Sequence, residues 1–310
     1  MASAPAQAAS MADSRLMDAV GRGDKAVVQS LVSARVDVNS IAENGATPLA
    51  IAVHRDDLAV AEILIKGGAD VNGANDYGVT PLSLACSNAS GPMVKLLLKS
   101  GADANKASWT GETPLMTCAR TGGLEAVQAL LAAKANPNAR EAKKGQTALM
   151  WAAAEKHADV AKALIAGGAD LKARSTVFPV REQFQITCTK LDPCMGGEFD
   201  GTTYRKEIHL PKATGGFTAL MFAAQQGDID TAKVLLDAGA GIEEGTAEEG
   251  TPLVLAAASG HEKLALYLLD RGANPNAKDA YGMRPLHYAD RKSTRLNSSH
   301  VSESRMPSSA

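Results

Sequence analysis

Pairs of adjacent aliphatic residues recur along the chain: Ile63-Leu64, Leu96-Leu97, Leu130-Leu131, Leu164-Ile165, Leu235-Leu236 and Leu268-Leu269. Further apolar residues lie three and four positions away from each pair, the spacing that gives a helix one apolar face. A shorter apolar segment precedes each pair, so the pattern predicts two helices per unit. That shorter segment opens on Thr47-Pro48-Leu49, Thr80-Pro81-Leu82, Thr113-Pro114-Leu115 and Thr251-Pro252-Leu253, with variants at Thr147-Ala148-Leu149, Thr218-Ala219-Leu220 and Arg284-Pro285-Leu286. Successive first positions are 33, 33, 34, 71, 33 and 33 residues apart. Repetition at this period marks a stack of similar units in which each unit buries its apolar face against the next.

Each part of a unit has a local reason. Thr is a good N-cap, and Pro at the first helical position gives up only a donor that would be unpaired there. Leu49, Ala52 and their equivalents then face inward. Gly122, Gly227 and Gly260 stand where a left-handed residue closes the first helix. The second helix ends at Gly68-Ala69, Gly101-Ala102, Gly168-Ala169, Gly239-Ala240 and Gly272-Ala273. Asp70-Val71-Asn72, Asp103-Ala104-Asn105 and Asn274-Pro275-Asn276 supply polar turn formers before the next unit.

On these residues the chain resembles the ankyrin repeat family from about Asp13 to Ala289, apart from one insertion. The resemblance implies an all-α solenoid of helix-turn-helix units with β-turn fingers. Leu16 to Asn39 keeps Gly23, Leu31-Val32 and Val38-Asn39 and reads as a divergent capping unit. The expected organisation is a leader (1–12), a cap plus four repeats (13–173), an insertion (174–215), two repeats plus a truncated one (216–289) and a tail (290–310). Because the last unit stops as its first helix begins, the stripe of Leu264, Leu268 and Leu269 is expected to be poorly covered. The sequence departs from the family pattern where His usually follows Thr-Pro-Leu: only His287 fits, the other positions holding Ala50, Ser83, Met116, Met150, Met221 and Val254. Asp56, Ala89 and Lys156 also replace the helix-closing Gly.

Arg174 to Gly215 holds Phe178, Phe184, Ile186, Phe199, Tyr204 and Ile208 in a Pro- and Gly-punctuated context. Long loops are uncommon unless functional or disordered. The expectation is a flap or hairpin that leaves the stack on the finger side and contributes to binding, with a neutral insertion as the alternative. Cys188 and Cys194 flank Leu191-Asp192-Pro193; in an oxidising compartment they could close a small disulfide loop, and in the cytosol they would be thiols. Pro5-Ala6-Gln7-Ala8-Ala9 resembles the small-residue tail before a bacterial signal cleavage site. Two readings stay open: a cytoplasmic chain with a disordered leader, or a periplasmic or secreted one with a signal remnant. Asp290 to His300 resembles a translated sequencing adapter, so nothing after about Ala289 is expected to be natural protein.

Composition narrows the function. Hydrophobic residues make up 45% and aromatics 4%, which suits closely packed helices built from Ala, Leu, Val and Ile. A net charge of -2 gives no electrostatic case for nucleic acid. No apolar stretch is long enough to span a bilayer. Cys86 and Cys118 lie inside helical patterns, where a buried free thiol is the ordinary expectation. The six His are His54, His157, His209, His261, His287 and His300, mostly at helix ends, where capping or loop bonding is the plainer role. No nucleophile elbow, phosphate loop or zinc spacing accompanies them, so neither catalysis nor a cofactor or metal is expected. Trp151 and Phe222 fall at equivalent positions and are expected in the core.

The resemblance implies a binding module, expected to be monomeric, that holds a protein partner in a concave groove. The alternative is the recognition part of a larger enzyme or sensor. Packing fixes the framework, so partner information resides at the finger tips and the exposed side of the first helices. Those positions hold Asn44, His54, Arg55, Asp76, Tyr77, Trp109, Thr110, Arg120, Lys143, Lys144, Phe217, Gln225, Gln226 and Tyr281. Tyr77, Trp109 and Arg120 are expected at the centre, being of the types that most often dominate interface energy.

Overall fold

The computed structural model describes residues 14–42, 45–179, 185–189, 198–199, 203–207 and 213–290. After α1 (14–22), α2 (Lys25–Ser33) completes the capping unit. Six helix pairs follow: α3 (Pro48–His54) with α4 (Leu58–Lys66), α5 (Pro81–Ser87) with α6 (Gly91–Lys99), and α7 (Pro114–Thr121) with α8 (Leu124–Ala132). The remaining three are α9 (Ala148–Ala154) with α10 (Ala158–Ala166), α11 (Ala219–Gln226) with α12 (Ile229–Asp237), and α13 (Pro252–Ser259) with α14 (Glu262–Asp270). A short α15 (285–290) opens the last unit. First helices pack in one row and second helices in another, each touching its counterparts in the neighbouring repeats. The rows run unbroken from α9 to α11 and from α10 to α12, so the insertion does not interrupt the stack.

Local chemistry sets the helix boundaries. The hydroxyls of Thr47, Thr80, Thr113, Thr147 and Thr218 each accept the backbone N–H three residues on, capping α3, α5, α7, α9 and α11. Gly122, Gly227 and Gly260 close α7, α11 and α13 in the left-handed region. Where Gly is missing the geometry persists: Asp56, Ala89 and Lys156 have φ of 56°, 54° and 65°. These side chains carry a local cost that the stacked neighbours offset.

The core runs the length of the array. Leu64, Leu97, Leu130, Leu164, Leu235 and Leu268 are all fully buried in the second helices. At the last unit the expected weakness is confined to the outward side: Leu264 and Leu268 are buried, while Leu266 and Leu269 are exposed. Leu286 is 75% exposed although Leu49, Leu82 and Leu115, its equivalents, are buried. Among the described residues no second helix of its own unit lies over it.

Two inter-repeat ties appear that local reading of the sequence does not show. The first is a ladder of Asn side chains. Asn39, Asn72, Asn105 and Asn138 each accept from the backbone N–H of Asp70, Asp103, Asn136 and Asp170 at 2.7 to 2.8 Å. Their amides donate to the carbonyls of Gly68, Gly101, Lys134 and Gly168 at 3.0 to 3.2 Å. The Asn ladder breaks at Lys172, the next equivalent residue, and at the one after it Glu243 Oε1 accepts the Asn274 N–H at 2.7 Å. Losing both bonds at one step should cost about 1 kcal/mol, because the site is exposed and water replaces part of the interaction. Asn105→Ala should therefore lower the urea midpoint measurably while Lys172→Ala leaves it unchanged; equal midpoints for Asn105→Ala and the parent would remove the ladder from the stability account.

The second tie corrects an expectation. Cys86 and Cys118 are not free thiols: a disulfide joins them, across 4.5 Å between Cα atoms, between α5 and α7. Neither residue is exposed. They pair because their helices are adjacent in the first row, although 32 residues separate them in the chain.

The insertion is the only source of strands among the described residues. β1 (Phe178–Pro179) pairs antiparallel with β5 (Ala213–Thr214). β2 (Gln185–Thr189), β3 (Glu198–Phe199) and β4 (Thr203–Glu207) form a sheet in the order β2-β4-β3. The side chain of Cys188 and all of Cys194 lie outside the described residues, as does the disulfide considered for them.

Candidate functional site

The turns between repeats project as fingers, and each finger is organised by its own backbone. In the finger before α5, Asn75 Oδ1 accepts the N–H groups of Tyr77 and Val79, and the N–H of Gly78 bonds the carbonyl of Asn75. Adjacent fingers then join. The N–H of Trp109 donates to the carbonyl of Tyr77 at 3.1 Å, that of Ala142 to Thr110 at 2.8 Å, and that of Thr176 to Lys144 at 2.7 Å. Gly78 permits the approach: a Cβ there would lie 3.0 Å from the Trp109 nitrogen.

This backbone contact sets two aromatic rings side by side. Tyr77 and Trp109 meet edge to face with ring centroids 5.4 Å apart, yet are 58% and 73% exposed. Asp76 and Thr110 are exposed beside them. Lys143 and Lys144 crown the next finger, where the buried Glu141 accepts both their backbone N–H groups and that of Gln146. Tyr281 is exposed on the last finger. Asn44 lies outside the described residues.

The first helices form the floor beneath the fingers. A recess of about 280 Å³ between the first two fingers is lined by Ala50, Ile51, His54, Asn75, Val79 and Leu84 among others, so the fourth and seventh positions of these helices face the fingers. Two aromatic residues occupy the fourth position further along. Contrary to expectation, Trp151 and Phe222 are only partly buried. The Arg120 guanidinium lies 5.5 Å from the Trp151 ring centroid and contacts Glu112 at 3.3 Å. Phe222 meets Phe217 edge to face at 5.5 Å. The expected central trio therefore sits in two clusters, Tyr77 with Trp109 on the fingers and Arg120 with Trp151 on the floor.

Other expected residues have different placements. Arg55 follows the end of α3 and lines a recess with Lys25, Asp56 and Asp57, away from the fingers. Gln225 and Gln226 close α11, where the Gln225 carbonyl meets His261 Nε2 at 2.9 Å. His157 makes the same contact with the Arg120 carbonyl at 3.1 Å. These rings tie repeats together, packing where a Cβ on Gly122 or Gly227 would clash. His209 and His300 lie outside the described residues.

Arg140, Arg174 and Ser175, which are not among the binding residues expected from the sequence, secure the base of the insertion together with Phe217. The N–H of Ser175 donates to the Phe217 carbonyl at 2.9 Å, and that of Phe217 to Ser175 Oγ at 3.0 Å. Arg174 Nη1 donates to the carbonyls of Gly216 and Gly245 at 3.0 and 2.9 Å, reaching the following finger. Arg140 Nη2 donates to the Arg174 carbonyl. The base of the insertion is thus bonded to the fingers on both sides of it. Only their partners' separation in the chain hides these roles, since an Arg near a turn carries no such signal by itself.

Among the described residues no group of three His, Cys, Asp or Glu side chains converges as a metal site, and no helix is long and apolar enough to cross a membrane. Arg271 titrates above its ordinary value through hydrogen bonds with Asp237 and then Tyr267, at the end of α14.

Known proteins carry the same pattern. The family model described as "Ankyrin repeats (3 copies)" matches residues 16–108, 90–175, 203–279 and 220–296. "Ankyrin repeat and SAM domain-containing protein 6" of Rattus norvegicus is 39% identical over 94 residues, covering 22% of this chain and 11% of the rat protein. The Mus musculus protein of the same name has the same identity and coverage. The chain therefore spans only a small part of these relatives. The crystal structure of the human ASB11 ankyrin repeat domain superposes with a TM-score of 0.63 at 24% identity, over 84% of this chain and 98% of that one.

Proposed function

Because this chain belongs to the ankyrin repeat family, whose repeats are generally protein-interaction modules, we propose that it binds a protein partner across its fingers and first helices. The observation that carries the reading is the Tyr77 and Trp109 pair: two large rings held in fixed geometry by a backbone bond, yet largely open to solvent. Rings already fixed lose little freedom when a partner covers them, and Trp, Tyr and Arg are the types that most often anchor interfaces. Arg120 over Trp151 supplies a second anchor with a charge, and Asp76, Thr110, Lys143, Lys144, Phe217 and Tyr281 supply a surrounding rim. The base of the insertion, at Ser175 and Phe217, lies beside this face at the fifth finger.

The test begins with affinity capture on the full chain, compared with a Tyr77→Ala, Trp109→Ala bait. A protein retained by the parent and lost from the variant becomes the ligand for calorimetry. Trp109→Ala alone should weaken its binding by about 2 kcal/mol, roughly 30-fold, with helical signal and melting temperature nearly unchanged. Unaltered affinity, or a loss of folding that accounts for the whole effect, would place the binding face elsewhere.

A further inference from the structure

The disulfide between Cys86 and Cys118 lies outside the binding reading and carries an inference of its own. Cys118, the fifth residue of α7, meets Cys86, the sixth residue of α5 in the preceding repeat, and first helices pack on their neighbours in the same way along the array. Among the complete repeats, every other first helix has Ala at the fifth position, as at Ala85 and Ala152, and Val53 or Ala at the sixth, as at Ala119 and Ala153. Packing asks only for a small side chain there. Cysteine occupies these positions only at one facing pair, which is what a covalent bond needs and packing does not. The Cα separation of 4.5 Å falls within the range that disulfides span. Both residues are fully buried, so neither a thiol oxidant nor a reductant can reach the sulfurs once the repeats have docked.

We propose that the bond between Cys86 and Cys118 is a permanent staple of the mature protein, closed while the second and third repeats dock, and that the chain folds in a compartment that supplies a disulfide oxidant. The two thiols lose two protons and two electrons. A disulfide of an oxidant protein or small-molecule thiol accepts them: one cysteine thiolate attacks it to give a mixed disulfide, the second cysteine displaces the oxidant sulfur, and the oxidant leaves as two thiols. In a reducing cytosol the pair would remain as thiols through docking and then be sealed in that state. The staple joins the helices that follow the Tyr77 and Trp109 fingers, so it fixes the part of the array nearest those rings.

Full-length protein is produced in an oxidising compartment and, separately, in a reducing cytosol, denatured without reductant, alkylated and mapped by mass spectrometry. The expected result is a linked Cys86–Cys118 peptide from the first source and alkylated cysteines from the second. In native oxidised protein the link should survive dithiothreitol and open once denaturant is added. Cys86→Ala, Cys118→Ala restores the residues of the other repeats, so the variant should fold, with a Tm about 5–10 °C below the oxidised parent. Free Cys86 and Cys118 in protein from the oxidising source, or equal melting temperatures, would overturn the staple. A fully formed bond in cytosolic protein would overturn the assignment of compartment.

Discussion

Leu130→Ala is expected to destabilise the array by about 3–4 kcal/mol, because a fully buried Leu leaves both its transfer energy and a cavity behind. Leu130 lies in α8, which packs on α6 and α10 as well as on α7. In a stack where each repeat is held chiefly by its neighbours, a defect at the centre weakens two interfaces at once. Denaturant unfolding should therefore lose its single transition and show two, one for each side of the break. Leu269→Ala is the control: this side chain is already 37% exposed in the last complete pair, and its loss should cost about 1 kcal/mol or less. Similar losses at the two positions would mean that stability is not distributed by coverage.

Gly215→Ala should detach the insertion from the array. A Cβ at this position would stand 2.0 Å from the Thr176 carbonyl oxygen, and the residue has φ of +104°, which an L side chain rarely adopts. The obstacle is backbone, so it cannot rotate aside. The expected cost is about 3 kcal/mol, borne locally, from steric overlap and an unfavourable dihedral together. The Ser175 and Phe217 hydrogen bonds and the β1 and β5 pairing lie next to it and would open first. Hydrogen exchange should accelerate at the Ser175 and Phe217 amides and stay unchanged in α6 and α8. Unchanged exchange at the base, or acceleration throughout, would show that the insertion is not held there.

The repeat register, the helix pairs and their starts were legible in the sequence because each rests on contacts within a few residues. Thr47 or Thr113 needs only the N–H three residues on to cap its helix, and Leu97 or Leu164 needs only helical spacing to fall on the apolar face. The left-handed closures at Asp56, Ala89 and Lys156 were legible too, since the period places them where other repeats carry Gly. Net charge was legible for the same reason, as it is a sum over residues and needs no geometry.

What the tertiary structure decided are the relations between units. Asn72 reads as a turn former, but its partners Gly101 and Asp103 lie 29 and 31 residues away, and only the spacing of stacked turns brings them within bonding distance. Cys86 and Cys118 read as two separate buried thiols until adjacent helices bring the fifth and sixth positions face to face. Trp151 and Phe222 read as core because they are apolar and in register. Their exposure depends on what the fingers and the neighbouring Arg120 or Phe217 leave uncovered. A sequence fixes which residues repeat and how each unit folds on itself; the distance and angle between neighbouring units come from packing across the whole interface, and these decide which side chains meet.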